Sequence, residues 1–307
     1  MRVLIIGATG FIGRNLVKKL LEKKHQVTVF TRNQPKASKL FGDKVYIQQW
    51  KTDDYIILQE FAHKVDVVVN LAGENLAAGK WTSHQKRKIL SSRVNIGKAI
   101  SFALKQSHDK PYLLIQASAI GFYGFNETKE FTEGSPNGEG FMPMVTRQWE
   151  DSVRNVEEDN TRKVFIRSGV VLGKEGGFLP KMIKPFRLFA GMYPGSGKQW
   201  LSWIHIEDEI NAIIQLMENN QSNGYYNLTA PEPVRMKTFS KTLAKILRRP
   251  LWLKIPGWIL KITYGDMAKE AILSGQKVLP KRLEEIGFEF KYPELEDALK
   301  DIVSRPD

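Results

Sequence analysis

Residues 1–33 read MRVLIIGATGFIGRNLVKKLLEKKHQVTVFTRN. The runs at 2–6 (RVLII) and 26–31 (QVTVFT) have the pattern of short buried strands, and the segment near 11–24 carries apolar residues at helical spacing. At the first junction stands Gly7-Ala8-Thr9-Gly10-Phe11-Ile12-Gly13, spaced G-x-x-G-x-x-G. Glycine is needed where the backbone turns sharply, where it must approach a pyrophosphate, and where a helix packs closely on a strand. The free N–H groups and positive dipole end of the helix then attract the diphosphate. Any tight strand–helix turn can use such glycines, but their place in a strand–loop–helix–strand unit points to a dinucleotide site. Gly7, Thr9, Gly10, Phe11, Ile12 and Gly13 are therefore candidate cofactor contacts.

The end of the second strand selects the cofactor. NAD sites place an acid there to accept hydrogen bonds from the ribose hydroxyls. Here the residues are Thr31-Arg32-Asn33. A guanidinium suits a 2′-phosphate, which a carboxylate would repel, so Thr31 and Arg32 favour NADP(H) over NAD(H). The plainer alternative is that Arg32 ends an exposed strand.

The alternation continues with strand-like runs at 44–48, 65–70, 111–117 and 163–168, and helical stretches near 84–106 and 143–158. Nearly continuous apolar strands alternating with helices predict an α/β fold, a Rossmann-type doubly wound parallel sheet covered on both faces. After about residue 172 glycine and proline become frequent and tryptophans gather at Trp200, Trp203, Trp252 and Trp258. The expected organisation is a nucleotide-binding domain over 1–171 and a smaller C-terminal substrate or cap region over 172–307. Helices are expected near 207–219, 237–247 and 266–275, and the helix near 203–219 is expected to return to the first domain.

Composition narrows the class. The 307 residues are 42% hydrophobic and 26% charged, which suits a folded globular chain. No apolar run reaches the ~20 residues that span a bilayer, and the chain opens on a strand pattern rather than a secretory signal. A cytoplasmic protein without a membrane partner is expected. Cysteine is absent, which excludes disulfides and thiolate metal sites. The net charge of +13 is scattered through helical patterns such as NLVKKLLEKK, without a basic run interleaved with aromatics, so a lysine-rich solvated surface is preferred over a nucleic-acid site.

The glycine spacing at the N-terminus resembles that of the extended short-chain dehydrogenase/reductases. Further motifs are similar to the epimerase-like branch, the NAD-dependent epimerase/dehydratase family: VVVNLAGENLAAGKWTSHQKRKILSSRVNIGKAI (67–100), SAIGFYG (118–124), RSGVVLG (167–173), WIHIEDEINAI (203–213) and the terminal GQKVLPKRLEEIGFEFKYPELEDALK (275–300). Members of this branch have been named nucleoside-diphosphate-sugar epimerases and cell-division inhibitors. The resemblance implies that Asn70, Leu71, Ala72 and Gly73 lie along the cofactor, that Arg93 reaches a phosphate or the substrate from the following helix with Asn95 beside it, and that Val171 lies near the nicotinamide. The plain readings are a strand-end turn, exposed helix positions and a core valine.

Short-chain reductases pair a tyrosine with a lysine four residues on, and lysine lowers the phenol's pKa for proton exchange. Ser118 matches the serine that positions the substrate oxygen. Aligning Trp149-Glu150 with the family's helix puts Met142 at the tyrosine position and Thr146 at the lysine position, so that pair is missing. Tyr123 in GFYG is the nearest alternative phenol. Ser118 and Tyr123 are thus the candidate catalytic residues, and Glu74, Asn75, Trp81, Lys198 and Trp200 candidate substrate contacts. PGSGKQ (194–199) lacks the first glycine and the final Ser or Thr of a phosphate-binding Walker loop, and His205 has no second histidine at ligand spacing, so no metal site is expected. Two functions remain open: an NADP(H)-dependent oxidoreductase or epimerase acting on a small polar molecule such as a sugar nucleotide, and a regulatory NADP(H)-binding protein with a protein partner. Oligomeric state is open too.

Overall fold

The computed structural model describes residues 1–52, 54–107, 110–156 and 161–304. Seven strands form one parallel sheet: β1 (Arg2–Ile6), β2 (Gln26–Thr31), β3 (Tyr46–Gln49), β4 (Val67–Asn70), β5 (Leu113–Ala119), β6 (Arg162–Ser168) and β7 (Gly224–Leu228). Their spatial order is β7-β6-β5-β4-β1-β2-β3, with Ile5 in register with both Val29 and Val69. Side chains alternate across the sheet, as a two-residue period requires. Val3 and Ile5 enter one core, with Leu16 and Leu20 of α1 (Phe11–Glu22) and Ile213 and Met217 of α7 (Ile206–Glu218). Leu4 and Ile6 enter the other, with Leu58 of α3 (Tyr55–Ala62) and Ile100 and Leu104 of α4 (Ser83–Gln106). Both faces are covered, which explains strands that read as continuous apolar runs. Between β2 and β3 lies α2 (Gln34–Phe41).

The sheet recruits chain from beyond residue 171. The β7 strand pairs with β6, and α7 packs beside α1. The remaining C-terminal elements surround a separate apolar cluster of Phe186, Trp203, Phe239, Leu243, Leu299 and Ile302. They include α6 (Leu179–Arg187), α8 (Met236–Leu247) and α10 (Leu295–Ser304), with Gly191–Pro194 paired in parallel to Leu251–Ile255. Asp208, at the start of α7, joins the two parts: its buried carboxylate accepts the Lys291 and Tyr292 N–H groups at 2.8 and 2.9 Å.

Two expected elements differ. The helix expected over 143–158 is α5 (Phe141–Asp151), which starts after Gly140 at φ +118°. Residues 157–160 lie outside the described residues. The helix expected near 266–275 is present in shorter form, helical over 266–272 with a wide turn at Ala268–Ile272, and an unexpected helix, α9 (Gly257–Tyr264), precedes it. Pro256 fixes the start of α9, a stop that the β-branched and aromatic residues after it obscure.

Candidate functional site

The carboxyl edge of the sheet brings the glycine loop and NLAG together where the strand order reverses between β1 and β4. Gly7 adopts φ +91°, and a Cβ there would lie 2.7 Å from the Leu71 carbonyl carbon. At Gly13 a Cβ would lie 2.4 Å from the Gly7 oxygen, so this glycine lets the first turn of α1 seat directly on the loop. The Gly10 N–H closes the turn by donating to Gly7 O at 3.0 Å. No side chain caps α1 and no acid lies in its first turn, leaving its positive end for an anion.

A glycine-rich segment from the region expected to form the cap lies against this loop. At Gly173 and Gly176 a Cβ would come within 2.5 and 2.7 Å of the Phe11 ring. Arg14 Nη2 donates to the Glu175 carbonyl at 2.7 Å, so residues 173–177 form a strap over the start of α1. The glycines of GKEGG are there to admit an aromatic ring.

At the end of β2, Thr31 is buried and its hydroxyl accepts the Asn33 N–H at 3.1 Å. Asn33 caps α2 through the Lys36 N–H at 3.0 Å. Arg32 between them is exposed and makes no hydrogen bond or ion pair among the described residues. Asn70 is buried, with Nδ2 donating to Gln116 at 3.0 Å and Oδ1 accepting the Ala72 N–H at 3.2 Å. Its side chain thus shapes the NLAG turn, and the backbone of Leu71–Gly73 is what faces the glycine loop. A Cβ on Gly73 would lie 2.9 Å from Arg93 Cζ. Arg93 is buried, donates Nη1 to Ile89 O at 3.0 Å and lies over the Trp149 ring at 4.9 Å. Burial pushes its guanidinium down to about 10, partly opposed by the Glu74 charge. It stays a cation at neutral pH, without a salt bridge among the described residues, which is costly unless an anion or an electron-rich group joins it. Asn95 is exposed.

Ser118 and Tyr123 belong to one buried network. Ser118 Oγ donates to Glu150 Oε1 at 2.6 Å. Glu150 also accepts Arg167 Nε at 2.8 Å and Nη2 at 2.9 Å, a bidentate pair. Arg167 Nη1 donates to the Tyr123 hydroxyl at 3.0 Å, and that hydroxyl donates to Asn227 Oδ1 at 2.6 Å. The Arg167 guanidinium lies over the Phe122 ring at 3.5 Å. Burial alone would lower Arg167, but the hydrogen bonds and charge of Glu150 outweigh it and raise its pKa.

Tyr123, a candidate catalytic phenol, is held inside this network. Burial pushes its pKa up to about 12 against the lesser opposing pull of Arg167, the reverse of the lowered pKa that proton exchange requires. Its donor and acceptor capacity is satisfied inside the protein. Met142 packs with Trp81 and Ile89, while Thr146 Oγ1 donates back to Met142 O at 2.9 Å. No titratable group stands at either position of the missing pair.

The expected substrate contacts divide into two groups. Trp81 is buried, donates Nε1 to Leu76 O at 2.8 Å and meets Phe141 edge-on, so it anchors the loop after NLAG. Asn75 forms a local turn by accepting the Ala77 N–H at 2.9 Å, and the Glu74 N–H donates to Ser92 Oγ at 2.9 Å. Lys198 and Trp200 have other neighbours. Trp200 Nε1 donates to Glu127 O at 2.9 Å and Arg235 stacks on its ring at 3.7 Å, while Lys198 lines a cavity of about 470 Å³ with Arg235, Lys237 and Lys241. Val171 pairs with Ile204 and packs into the core shared with α1 and α7.

Sequence reasoning assigned no role to Glu150 or Arg167. The fully buried Glu209, in the first turn of α7, accepts Ser168 Oγ–H at 2.6 Å. Burial pushes its carboxyl up to about 8, only partly opposed by Ser168. A raised carboxyl pKa means that the folded state holds a proton the unfolded state has released. That stabilisation is complete below the ordinary value of 4.5 and is lost as pH rises through about 8. Glu209→Gln is expected to remove this slope and raise stability at pH 8 by roughly 4 kcal/mol. Thermal melts of both proteins from pH 5 to 9 check it, and parallel curves would refute it.

A family model described as "NAD dependent epimerase/dehydratase family" matches residues 3–229, and a second, a domain of unknown function (DUF1731), matches 255–302. The chain belongs to the NAD dependent epimerase/dehydratase family. Within it, the chain is 40% identical over 310 residues to the chloroplastic epimerase family protein SDR39U1 homolog of Arabidopsis thaliana, covering 99% of this chain and 87% of that one. It is 39% identical over 305 residues to the epimerase family protein YfhF of Bacillus subtilis, covering 99% and 98%. The crystal structure of human epimerase family protein SDR39U1 (isoform 2) with NADPH superposes with a TM-score of 0.89 at 31% identity, covering 100% of both chains. UDP-glucose 4-epimerase of Thermotoga maritima, at 18% identity and a TM-score of 0.80, shares the fold.

Proposed function

We propose that this protein binds NADP(H) and works as an oxidoreductase on a small polar substrate, with an active site that dispenses with the Tyr–Lys pair. The observation that carries the cofactor reading is the glycine cradle, into which a Cβ at Gly7 or Gly13 cannot fit. The NADPH in the human relative's structure supports the same choice. The α1 start holds the diphosphate, the Leu71–Gly73 backbone lies along the ribose side, and Arg93 supplies a buried cation beside it. Arg32 takes the 2′-phosphate, for which it stands unpaired. The cofactor supplies or accepts a hydride at its nicotinamide. Ser118 has its own proton directed to Glu150, so its oxygen offers lone pairs and orients a substrate hydroxyl by accepting from it. Tyr123 serves as a positioning residue for Arg167.

Arg32→Ala is expected to weaken NADPH about tenfold while leaving NADH nearly unchanged. Fluorescence titration of both cofactors tests this; equal loss for both, or none, overturns the assignment. For the reaction, the protein is incubated with 4-deuterated NADPH and a metabolite extract. Deuterium in a product, lost in Ser118→Ala, supports the enzyme. The absence of a tyrosine–lysine proton relay favours a second reading, an NADP(H)-responsive regulatory protein. It is supported instead by tight NADPH binding, no deuterium transfer and a protein partner captured only with cofactor bound.

A further inference from the structure

The C-terminal region carries an apolar face that none of the described residues covers. Segments 179–190 (LPKMIKPFRLFA) and 248–265 (RRPLWLKIPGWILKITYG) contain lysines and arginines and no aspartate or glutamate. Large apolar side chains stand in solvent there: Leu188 is 78% exposed, Trp252 73%, Trp258 65% and Ile262 68%. The segments adjoin. Leu251–Ile255 runs in parallel beside Gly191–Pro194, Arg249 stacks over the Phe189 ring at 4.3 Å, and Pro256 leads straight into α9. On α9, Trp258 and Ile262 lie one turn apart with Lys261 beside them, and Leu260 faces the interior. The basic residues of both segments form no salt bridge among the described residues.

We propose that this face docks on an anionic phospholipid bilayer as a peripheral contact. Tryptophans and aliphatic side chains among lysines and arginines match the interfacial region, where rings settle at headgroup level and cations meet lipid phosphate. No helix among the described residues is long and apolar enough to cross a membrane, so the contact is superficial. Charge argues against a second copy as the occupant, since a twofold contact would set this basic face against itself. Lys80 Nζ donates to Ile262 O at 3.2 Å, tying α9 to the loop after NLAG, so docking would place the candidate active site beside the bilayer.

The test is co-sedimentation of the full chain with vesicles of phosphatidylcholine alone and of phosphatidylcholine with one third phosphatidylglycerol. Binding to the anionic vesicles only, reversed by salt and accompanied by a blue shift of tryptophan emission, is expected. Trp258→Ser/Ile262→Ser and Lys254→Glu/Lys261→Glu are each expected to lower partitioning about tenfold or more, with NADPH affinity unchanged. No partitioning at low salt, or partitioning indifferent to the Trp258/Ile262 pair, overturns the proposal. So does self-association in sedimentation velocity that both double variants abolish while anionic vesicles fail to compete, which would assign the face to a second copy.

Discussion

Glu150→Ala is expected to be the most destabilising of the single changes considered, by about 3–5 kcal/mol, because it strands the Arg167 cation in the interior. Arg167 and Glu150 are 2% and 5% exposed and joined by two hydrogen bonds, so water cannot readily replace the lost carboxylate. Ser118 loses its acceptor in the same stroke. Thermal or urea denaturation measures the loss, which at this chain length corresponds to a fall in Tm of roughly 10 °C. Glu150→Gln retains an acceptor for Arg167 and is expected to recover part of it. Removing both charges in Glu150→Leu/Arg167→Met is expected to cost less than Glu150→Ala alone, since an absent pair leaves nothing unsatisfied. A loss below about 1 kcal/mol for Glu150→Ala would show that solvent reaches the pair and that it does not organise the site.

Gly13→Ala is expected to weaken NADPH about a hundredfold, with secondary structure by circular dichroism unchanged. The added methyl would sit 2.4 Å from Gly7 O and 2.7 Å from Ala8 Cα, and backbone atoms on both sides cannot rotate away as a side-chain tip can. The loop would have to lift from α1, moving the N–H groups that meet the diphosphate. Gly10→Ala supplies the control. Its nearest contact is 3.2 Å from Gly7 O, a few tenths of an ångström to relieve, so only a few-fold loss is expected. Calorimetric titration of both variants with NADPH checks the ordering. Binding by Gly13→Ala within about threefold of the parent would mean that this loop is not the phosphate cradle.

The glycine loop was legible because its meaning is local: the strand before it, the helix after it and the residues between are contiguous. The NLAG turn and the alternation of strands and helices were legible for the same reason. The seventh strand was not. Gly224–Leu228 reads GYYNL, a short run with a half-exposed tyrosine, and only pairing with β6 makes it a strand. The environment of Tyr123 was not legible either, because its partners lie far along the chain: Arg167, and an asparagine 104 residues away. A motif shows a phenol next to a glycine but not which distant groups satisfy and desolvate its hydroxyl.

Sequence alone determined the glycine spacing of a dinucleotide-type loop, a second strand that ends on Arg32 with no acid beside it, and the lack of a tyrosine–lysine pair in residues 141–151. Those features depend on residue identity at fixed local spacing. Tertiary structure alone decided that Ser118 points its proton at Glu150, that Arg93 is a buried cation beside Gly73, that Phe11 lies beneath a glycine strap, and that Glu209 is desolvated enough to hold its proton. Each depends on which distant side chains exclude water from a charge or a hydroxyl, and desolvation is a property of the packed molecule, not of any stretch of its sequence.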